Sequence, residues 1–415
     1  MATVKPFRGY RPLKELVHLI ASRPYDVLSS EEAREDAKNN PHSFLHVVKP
    51  EIDLPPETDH YAEIVYQTGK DNLTKLIGKG VFRQEEKPVY YVYAQTMWGK
   101  TQYGLVGCAS VQDYLDNVIR KHELTRPDKE DDRKKHVRVT NFNAEPVFFA
   151  YPDNKSIDMV VNRIIKDQPE YDFKTPDDVG HSLWVISNDP DILEIERAFR
   201  EEVAYIYVAD GHHRTAAAAR VGEELKNLNP GHTGTEDYNY FMAVHFPASQ
   251  LTIIDYNRVV RDLNGLSPEK FIQKIGENFK ITLVGPEIVK PSKLHEFTMY
   301  LENNWYILEA YKHTYDDSDP IGCLDVTVLS AGILDPILEI KDLRKSDRID
   351  FVGGIRGLGE LRKRVDSGEM AVAFALYPVS MDQLITIADT GNIMPPKTTW
   401  FEPKLRSGLV IHNLE

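Results

Sequence analysis

Only two cysteines, Cys108 and Cys323, occur among the 415 residues. Two thiols that far apart make no disulfide framework, no CxxC pair and no zinc ligand set. A reducing, cytoplasmic setting is the default expectation. No apolar run approaches the roughly 20 residues that span a bilayer, so no membrane role is expected. The opening MATVKPFRGYRP has no apolar stretch behind its basic residues and does not read as a secretory signal. Basic charge is in deficit, with 50 Lys and Arg against 64 Asp and Glu and a formal net charge of −14. That field repels polyanions, so nucleic acid is not the expected partner. A small anionic ligand remains open, because a local basic pocket overcomes a distant field once salt screens it. Nothing repeats at a fixed period.

What is present is an ordinary globular composition, 41% apolar, on a chain long enough for two domains or three. Ser29 and Glu32 form a capping-box pattern, and the helix it opens should stop before Pro41. SFLHVV, ending at Pro50, reads as a strand, and Tyr61 to Ile77 as an amphipathic helix. VYYVYAQTM and YGLVGCASV are rich in β-branched and aromatic residues and should pair. Val111, Tyr114, Leu115 and Val118 recur at helical spacing. The helix they mark runs into RKHELTRPDKEDDRKKHVRV, read as a solvated charged face. Strands are expected at PVFFAY, HSLWVIS, AYIYVAD, FMAVHFP and LTIIDYNRVV, with a helix from Ser156 to Arg163 and a loop from Leu225 to Asp237. After about Leu266, helix and strand alternate through SPEKFIQKIGENF, KITLVG, WYILEAY, IDFVGG, GELRKRVDSGE and MAVAFALYP. The fold class is α+β. A first domain is expected over residues 1–265. A second, smaller α+β domain is expected over 266–415, with a loop-rich tail able to fold back onto the first.

One segment carries chemistry. AYIYVAD is a compact apolar strand that ends at Asp210, turns at Gly211 and leads into the helix former HHRTAAAARVGEELK. Strand, glycine turn and helix aim free backbone N–H groups at an anion. The helix dipole adds about half a positive charge there. His212, His213 and Arg214 fall in the first turn, where cations are disfavoured unless an anion is bound. Asp210, Gly211, His212, His213, Arg214 and Thr215 are therefore the candidate phosphate-binding residues. Arg214 can offer bidentate hydrogen bonds to phosphate oxygens. The competing reading has Asp210 as a plain helix cap and both histidines in solvent. Zinc would need further ligands that ordinary spacing does not supply, since adjacent helical side chains point apart. The identity of any metal is left open.

Several residues stand beside this motif. His122 lines up with Val111 and Val118 on the apolar face of its expected helix, and Glu123 sits at the margin. They read as a base or a metal-binding carboxylate, against a core histidine and a surface acid. Asp26, a loop acid, could orient Mg²⁺ or a substrate amine, whereas Glu32 is assigned to capping. His181 begins a strand and Arg258 ends one, so either could face the pocket. Lys397 and Lys404 are phosphate contacts if the tail returns. The run Gly353-Gly354-x-x-Gly357-x-Gly359 has the wrong spacing for a dinucleotide fingerprint and lacks the Lys-Ser/Thr of a P-loop, so it reads as a tight turn.

VADGHHRTAAA resembles the signature of the domain of unknown function 1015 family, within the ParB/sulfiredoxin superfamily, whose members bind nucleotide phosphate at a Gly-x-x-Arg turn. The resemblance extends to PYDVLSSEEAR (Pro24 to Arg34), Asn40-Pro41, KHELT (Lys121 to Thr125), the Glu130 to Arg133 cluster, NRVVRDL (Asn257 to Leu263) and PPKTTWFEPKL (Pro395 to Leu405). It implies a ParB/sulfiredoxin-like mixed-sheet core. It also implies an activity similar to that of free serine kinases. That activity is phosphotransfer from a nucleotide, ATP or ADP with Mg²⁺, to a small hydroxy amino acid such as serine. Phosphoserine hydrolysis is a close variant. Asp26, His122, Glu123 and His213 would then be the catalytic residues. Sulfiredoxins carry Cys where His212 stands, so their chemistry is excluded. The acidic-arginine turn and helix-turn-helix of ParB proteins are missing. The alternative expectation is a nucleotide-binding regulatory protein without amino-acid turnover. Oligomeric state is left open.

Overall fold

A computed structural model describes residues 1–415. The chain forms two compact units, one of Met1–Leu251 with Pro403–Glu415 and one of Thr252–Glu402. The first break thus falls ahead of the 265/266 boundary expected from sequence. The reason is that NRVV belongs to a strand hydrogen-bonded within the second unit's sheet.

In chain order the first unit contains β1 (Val4–Lys5), α1 (Ser30–Asp36), α2 (Leu45–Val48), α3 (Glu63–Gly78), β2 (Tyr90–Met97) and β3 (Lys100–Ser110). There follow α4 (Val111–Leu115), β4 (Ile119–Arg120), α5 (Pro127–Thr140), β5 (Val147–Tyr151) and α6 (Lys155–Ile164). It continues with β6 (Tyr171–Lys174), β7 (Gly180–Ile186), α7 (Asp189–Glu202), β8 (Ile206–Asp210), α8 (His212–Leu228) and β9 (Tyr240–Pro247). Nine strands make a mixed sheet in the order β4-β8-β5-β9-β3-β2-β7-β6, with β1 on β3. The β4–β8 and β5–β9 pairs are parallel, and the β2–β3 pair is an antiparallel hairpin. Trp98 and Gly99, both at positive φ, close that hairpin, as a two-residue turn matched to strand twist requires. Apolar residues of β2, β5, β8 and α7, among them Tyr90, Val92, Phe149, Val208 and Phe199, form one core cluster.

The capping box is made in full. The Ser29 hydroxyl accepts from the Glu32 N–H at 3.1 Å, and the Glu32 carboxylate accepts from the Ser29 N–H at 2.8 Å. Ser29→Ala is expected to cost about 1 kcal/mol. That should lower the melting temperature of the first unit by about 3 °C, and an unchanged melt would show that α1 does not depend on its cap.

Three readings from sequence are corrected. SFLHVV contains the helix α2, not a strand; Leu45, Val47 and Val48 are all buried, and a short run buried all round has no period to distinguish the two. The helix at Val111 ends after five residues, Asn117 takes a left-handed φ of 57°, and the chain then enters β4, so His122 is not on a helix. The charged stretch is helical as α5, yet Asp132, Arg133 and His136 are buried rather than solvated. In addition, α8 continues to Leu228, so the expected loop begins only at Asn229.

The second unit is an antiparallel sheet with helices. Its strands are β10 (Tyr256–Val260), β11 (Phe279–Gly285), β12 (Glu296–Leu301), β13 (Asn304–Ala310), β14 (Ile349–Gly353) and β15 (Val372–Ala375), ordered β11-β13-β12-β15-β10-β14. The glycine run ends β14 and makes one 3-10 turn, Gly354–Arg356, before a helix at Leu358–Asp366. Both units are mixed α and β. No helix is long and apolar enough to cross a membrane.

Candidate functional site

The buried run Ile206 to Ala209 fixes β8 in the sheet and delivers Asp210 to its end. Gly211 then takes φ 91°, a left-handed conformation open to glycine at no steric cost, and α8 starts at His212. The Gly211 carbonyl accepts from the Thr215 N–H at 2.9 Å and from its hydroxyl at 3.0 Å. The first-turn amides of His212, His213 and Arg214 therefore have no helical carbonyl to bond. Ala216 to Ala219 are buried beneath them. The Arg214 side chain lies back over the turn, since a Cβ at position 211 would stand 3.2 Å from its guanidinium carbon.

Each side chain around the turn is held differently. Asp210 Oδ1 accepts from the Gly211 N–H at 2.8 Å, and Oδ2 accepts from Lys404 Nζ at 2.9 Å. Burial pushes this carboxyl up, but Lys404 and Arg214 outweigh it and hold the group well below the usual carboxylate range. Arg214 Nη1 donates to the Pro146 carbonyl at 2.7 Å, and Nη2 lies 3.7 Å from Asp26 Oδ2. Its Nε has no partner. Burial opposes its charge, yet Asp26, Glu145 and Asp210 keep the guanidinium protonated, its pKa raised above the ordinary value.

On the other flank, His212 Nδ1 is 3.8 Å from Glu123 Oε2, while its Nε2 has no partner. The His122 ring stands perpendicular to the His212 ring with centroids 4.6 Å apart, 1% exposed, and neither of its nitrogens has a partner. Burial pushes His122 down to about 4 and His212 well below its ordinary value, so both imidazoles are neutral at pH 7. His213 is lowered in the same direction by burial, and its Nε2 accepts the Arg126 N–H at 3.0 Å. Buried polar atoms without partners carry a desolvation cost of about 1–3 kcal/mol each. Here they gather at a helix N-terminus.

The turn thus collects Asp26, His122, Glu123, Asp210, Gly211, His212, His213, Arg214 and Lys404. Other candidates are committed elsewhere. The Thr215 hydroxyl bonds Gly211 and is not available to a phosphate. His181 sits in its own buried network, with Tyr93 at 2.8 Å, Thr175 at 3.1 Å and Arg406 at 3.3 Å. Arg258 belongs to the second unit, fully buried, and donates to the Lys397 carbonyl at 3.0 Å. Lys397 is exposed at φ 58°, with its ammonium 5.6 Å from the Tyr256 ring centre. No group of three or more His, Cys, Asp or Glu side chains has the geometry to hold a metal ion.

Sequence reasoning missed the charges behind Arg214. Glu145 and Arg133 are both buried and 3.7 Å apart, and Arg133 lies over the Tyr25 ring at 4.0 Å. A cavity of about 20 Å³, room for one water, is lined by Arg133, His136, Glu145, Arg214 and Met242 among others. The signals were a Glu ahead of Pro146 at the start of an apolar strand and the Glu130 to Arg133 cluster, neither of which pointed to the turn.

A match to the family described as protein of unknown function (DUF1015) spans residues 4–327. The chain belongs to the DUF1015 family. The Asp210–Arg214 turn of this DUF1015 member lies inside the matched span. No curated protein sequence matches. Among solved structures, a conserved hypothetical protein from Pyrococcus furiosus is 13% identical, covering 71% of this chain and 90% of that one at a TM-score of 0.35. SbnI with C-terminal truncation from Staphylococcus aureus is 12% identical, covering 72% and 82% at 0.36. A free serine kinase in complex with AMP is 12% identical, covering 76% and 88% at 0.32. At such scores no detail of one structure carries to another.

Proposed function

We propose that this DUF1015 member is a phosphotransferase that moves a phosphoryl group between a nucleotide, ATP or ADP, and a small hydroxy amino acid such as serine. The observation that carries the reading is the set of unpartnered buried atoms at the Gly211 turn, namely both nitrogens of His122, Nε2 of His212 and Nε of Arg214. They lie where three first-turn amides are free and a guanidinium stays charged. A tetrahedral oxyanion fits that chemistry. Positioning and charge do most of the work in phosphoryl transfer, so a rigid cationic turn is an adequate scaffold.

In the forward direction Arg214 and the amides hold the transferring phosphoryl group. Lys404, beside Asp210, adds a second cation at the strand end. Glu123, its side chain 44% exposed and next to His212, is the carboxylate placed to accept the hydroxyl proton. The acceptor oxygen bonds to phosphorus as the bridging P–O bond of the nucleotide breaks, and the shortened nucleotide leaves. Asp26 is the carboxylate that would hold a Mg²⁺ ion, which takes one or two carboxylates and otherwise phosphate and water, and which supplies charge neutralisation.

Incubation with L-serine and ADP, ATP or pyrophosphate should yield phosphoserine, read by phosphorus NMR. Glu123→Gln is expected to lower turnover by about 10²–10⁴-fold and to leave nucleotide binding intact by calorimetry. Nucleotide binding without turnover in either direction would sink the kinase reading. It would leave a nucleotide-responsive regulatory protein built on the same turn.

A further inference from the structure

Glu145 is the most enclosed carboxylate near the turn, its side chain 5% exposed. Burying a carboxylate costs several kcal/mol unless charge and hydrogen bonds offset it. Four chain segments supply that offset. Oε1 accepts from the Tyr25 N–H at 3.1 Å and from the Ser407 hydroxyl at 3.1 Å. Oε2 lies 3.7 Å from Arg133 Nη1 on α5. Burial still pushes the Glu145 carboxyl above its ordinary value, and Arg214 on α8 supplies the largest opposing attraction, followed by Arg133. The next residue, Pro146, offers the carbonyl that takes Arg214 Nη1 at 2.7 Å.

We infer that Glu145 is a positioning residue for the candidate phosphate site: from one buried point its carboxylate fixes the turn that carries Asp26 and the returning segment at Ser407, and the guanidinium of Arg214 is set through that Asp26 turn and the neighbouring Pro146 carbonyl. The inference rests on the phosphate-binding reading for what is being positioned. Glu145 is too enclosed to meet a ligand, so it acts through others. Tyr25 sits one residue before Asp26 in a single 3-10 turn, so pinning its N–H sets where the Asp26 carboxylate meets Arg214. Arg133 reinforces the same turn by stacking over the Tyr25 ring. Arg214 is thereby held from two sides, by the Glu145–Pro146 segment and by Asp26, leaving Nε as its unbonded donor.

Glu145→Gln keeps an oxygen for Tyr25 and Ser407 but removes the charge. Two measurements on the full chain test it. The first needs no ligand: the side-chain nitrogen NMR signals of Arg214, identified by their loss in Arg214→Lys. Restricted guanidinium rotation in the unaltered protein should give way to averaged signals in Glu145→Gln. The second is calorimetry with inorganic phosphate and with ADP, where affinity should fall about 10-fold, the scale expected when a group that orients a binding residue is altered. The double variant with Asp26→Asn should bind no more weakly than the worse single variant, because both changes act through one guanidinium. Unchanged Arg214 signals and unchanged phosphate affinity, whatever happens to the melting temperature, overturn the inference, as do fully additive losses. If the unaltered protein binds neither phosphate nor ADP, the phosphate reading fails, and the NMR signals alone then decide whether Glu145 positions Arg214.

Discussion

Arg214→Gln is expected to lower the affinity for phosphate and ADP by about 100-fold, the worth of charge-assisted hydrogen bonds near 3 kcal/mol. The same change should cut stability by about 3–5 kcal/mol, because removing one member of a buried ion cluster strands the others. Asp210, Asp26 and Glu145 are the stranded carboxylates. For a unit of this size that corresponds to a fall of about 10 °C in melting temperature. Calorimetry below the lowered melting point separates the two effects. A variant that melts early but still binds phosphate at full strength would show that Arg214 is an interior structural cation and that the anion site lies elsewhere.

Lys404→Met tests the opposite end of the turn. The Lys404 ammonium and Arg214 hold the Asp210 carboxyl well below its unfolded pKa of about 3.9, against the push of burial. A depressed carboxyl contributes stability that is full above the unfolded pKa and is lost as pH falls through the folded one. The variant keeps Arg214 but loses its nearest cation, so at pH 7 it should be about 2–3 kcal/mol less stable than the unaltered protein. The gap should narrow as pH falls through the folded-state titration of Asp210, which comes at higher pH in the variant because its carboxyl lacks the Lys404 ammonium; protonation in the unfolded chain is common to both proteins and cancels. Urea unfolding at pH 7 and at successively lower pH reads it directly. A gap that stays constant across that range would mean that Lys404 contributes packing rather than charge.

The Asp210–Arg214 turn, proposed to hold a phosphate, was legible in sequence because its parts are local. An apolar strand, one glycine and a run of alanines specify the backbone, whereas the three first-turn side chains read as cations in sequence and only Arg214 remains one once burial lowers His212 and His213. His122 carries a local pattern that points to the wrong element. Helical spacing placed it on an apolar face, but α4 stops at Leu115, and the residue reaches the turn through β4, parallel to β8. Burial was right and the route was wrong, since a parallel pairing between strands that α5, β5, α6, β6, β7 and α7 separate in sequence leaves no periodic trace. Thr215 failed for a related reason. Its composition suits phosphate, but the hydroxyl bonds the carbonyl four residues back, a preference of threonine inside helices that composition does not reveal. Arg258 resembled a ligand-binding cation and is instead a cross-link among carbonyls of its own unit. Glu145 was invisible because its partners at Tyr25, Arg133, Arg214 and Ser407 converge only after folding. Most strands with aromatic or β-branched runs were read correctly, but Glu296–Leu301 was missed, and α2, too short to show a period, was taken for a strand.

The first unit is interrupted in sequence, and that has a consequence for how it is made. Asp210 is translated long before Lys404, and all of Thr252–Glu402 comes off the ribosome between them. A nascent chain that has already formed β8 therefore carries a carboxylate whose nearest ammonium does not yet exist. The Asp210 end of the turn gains its Lys404 partner only after the whole second unit has been made.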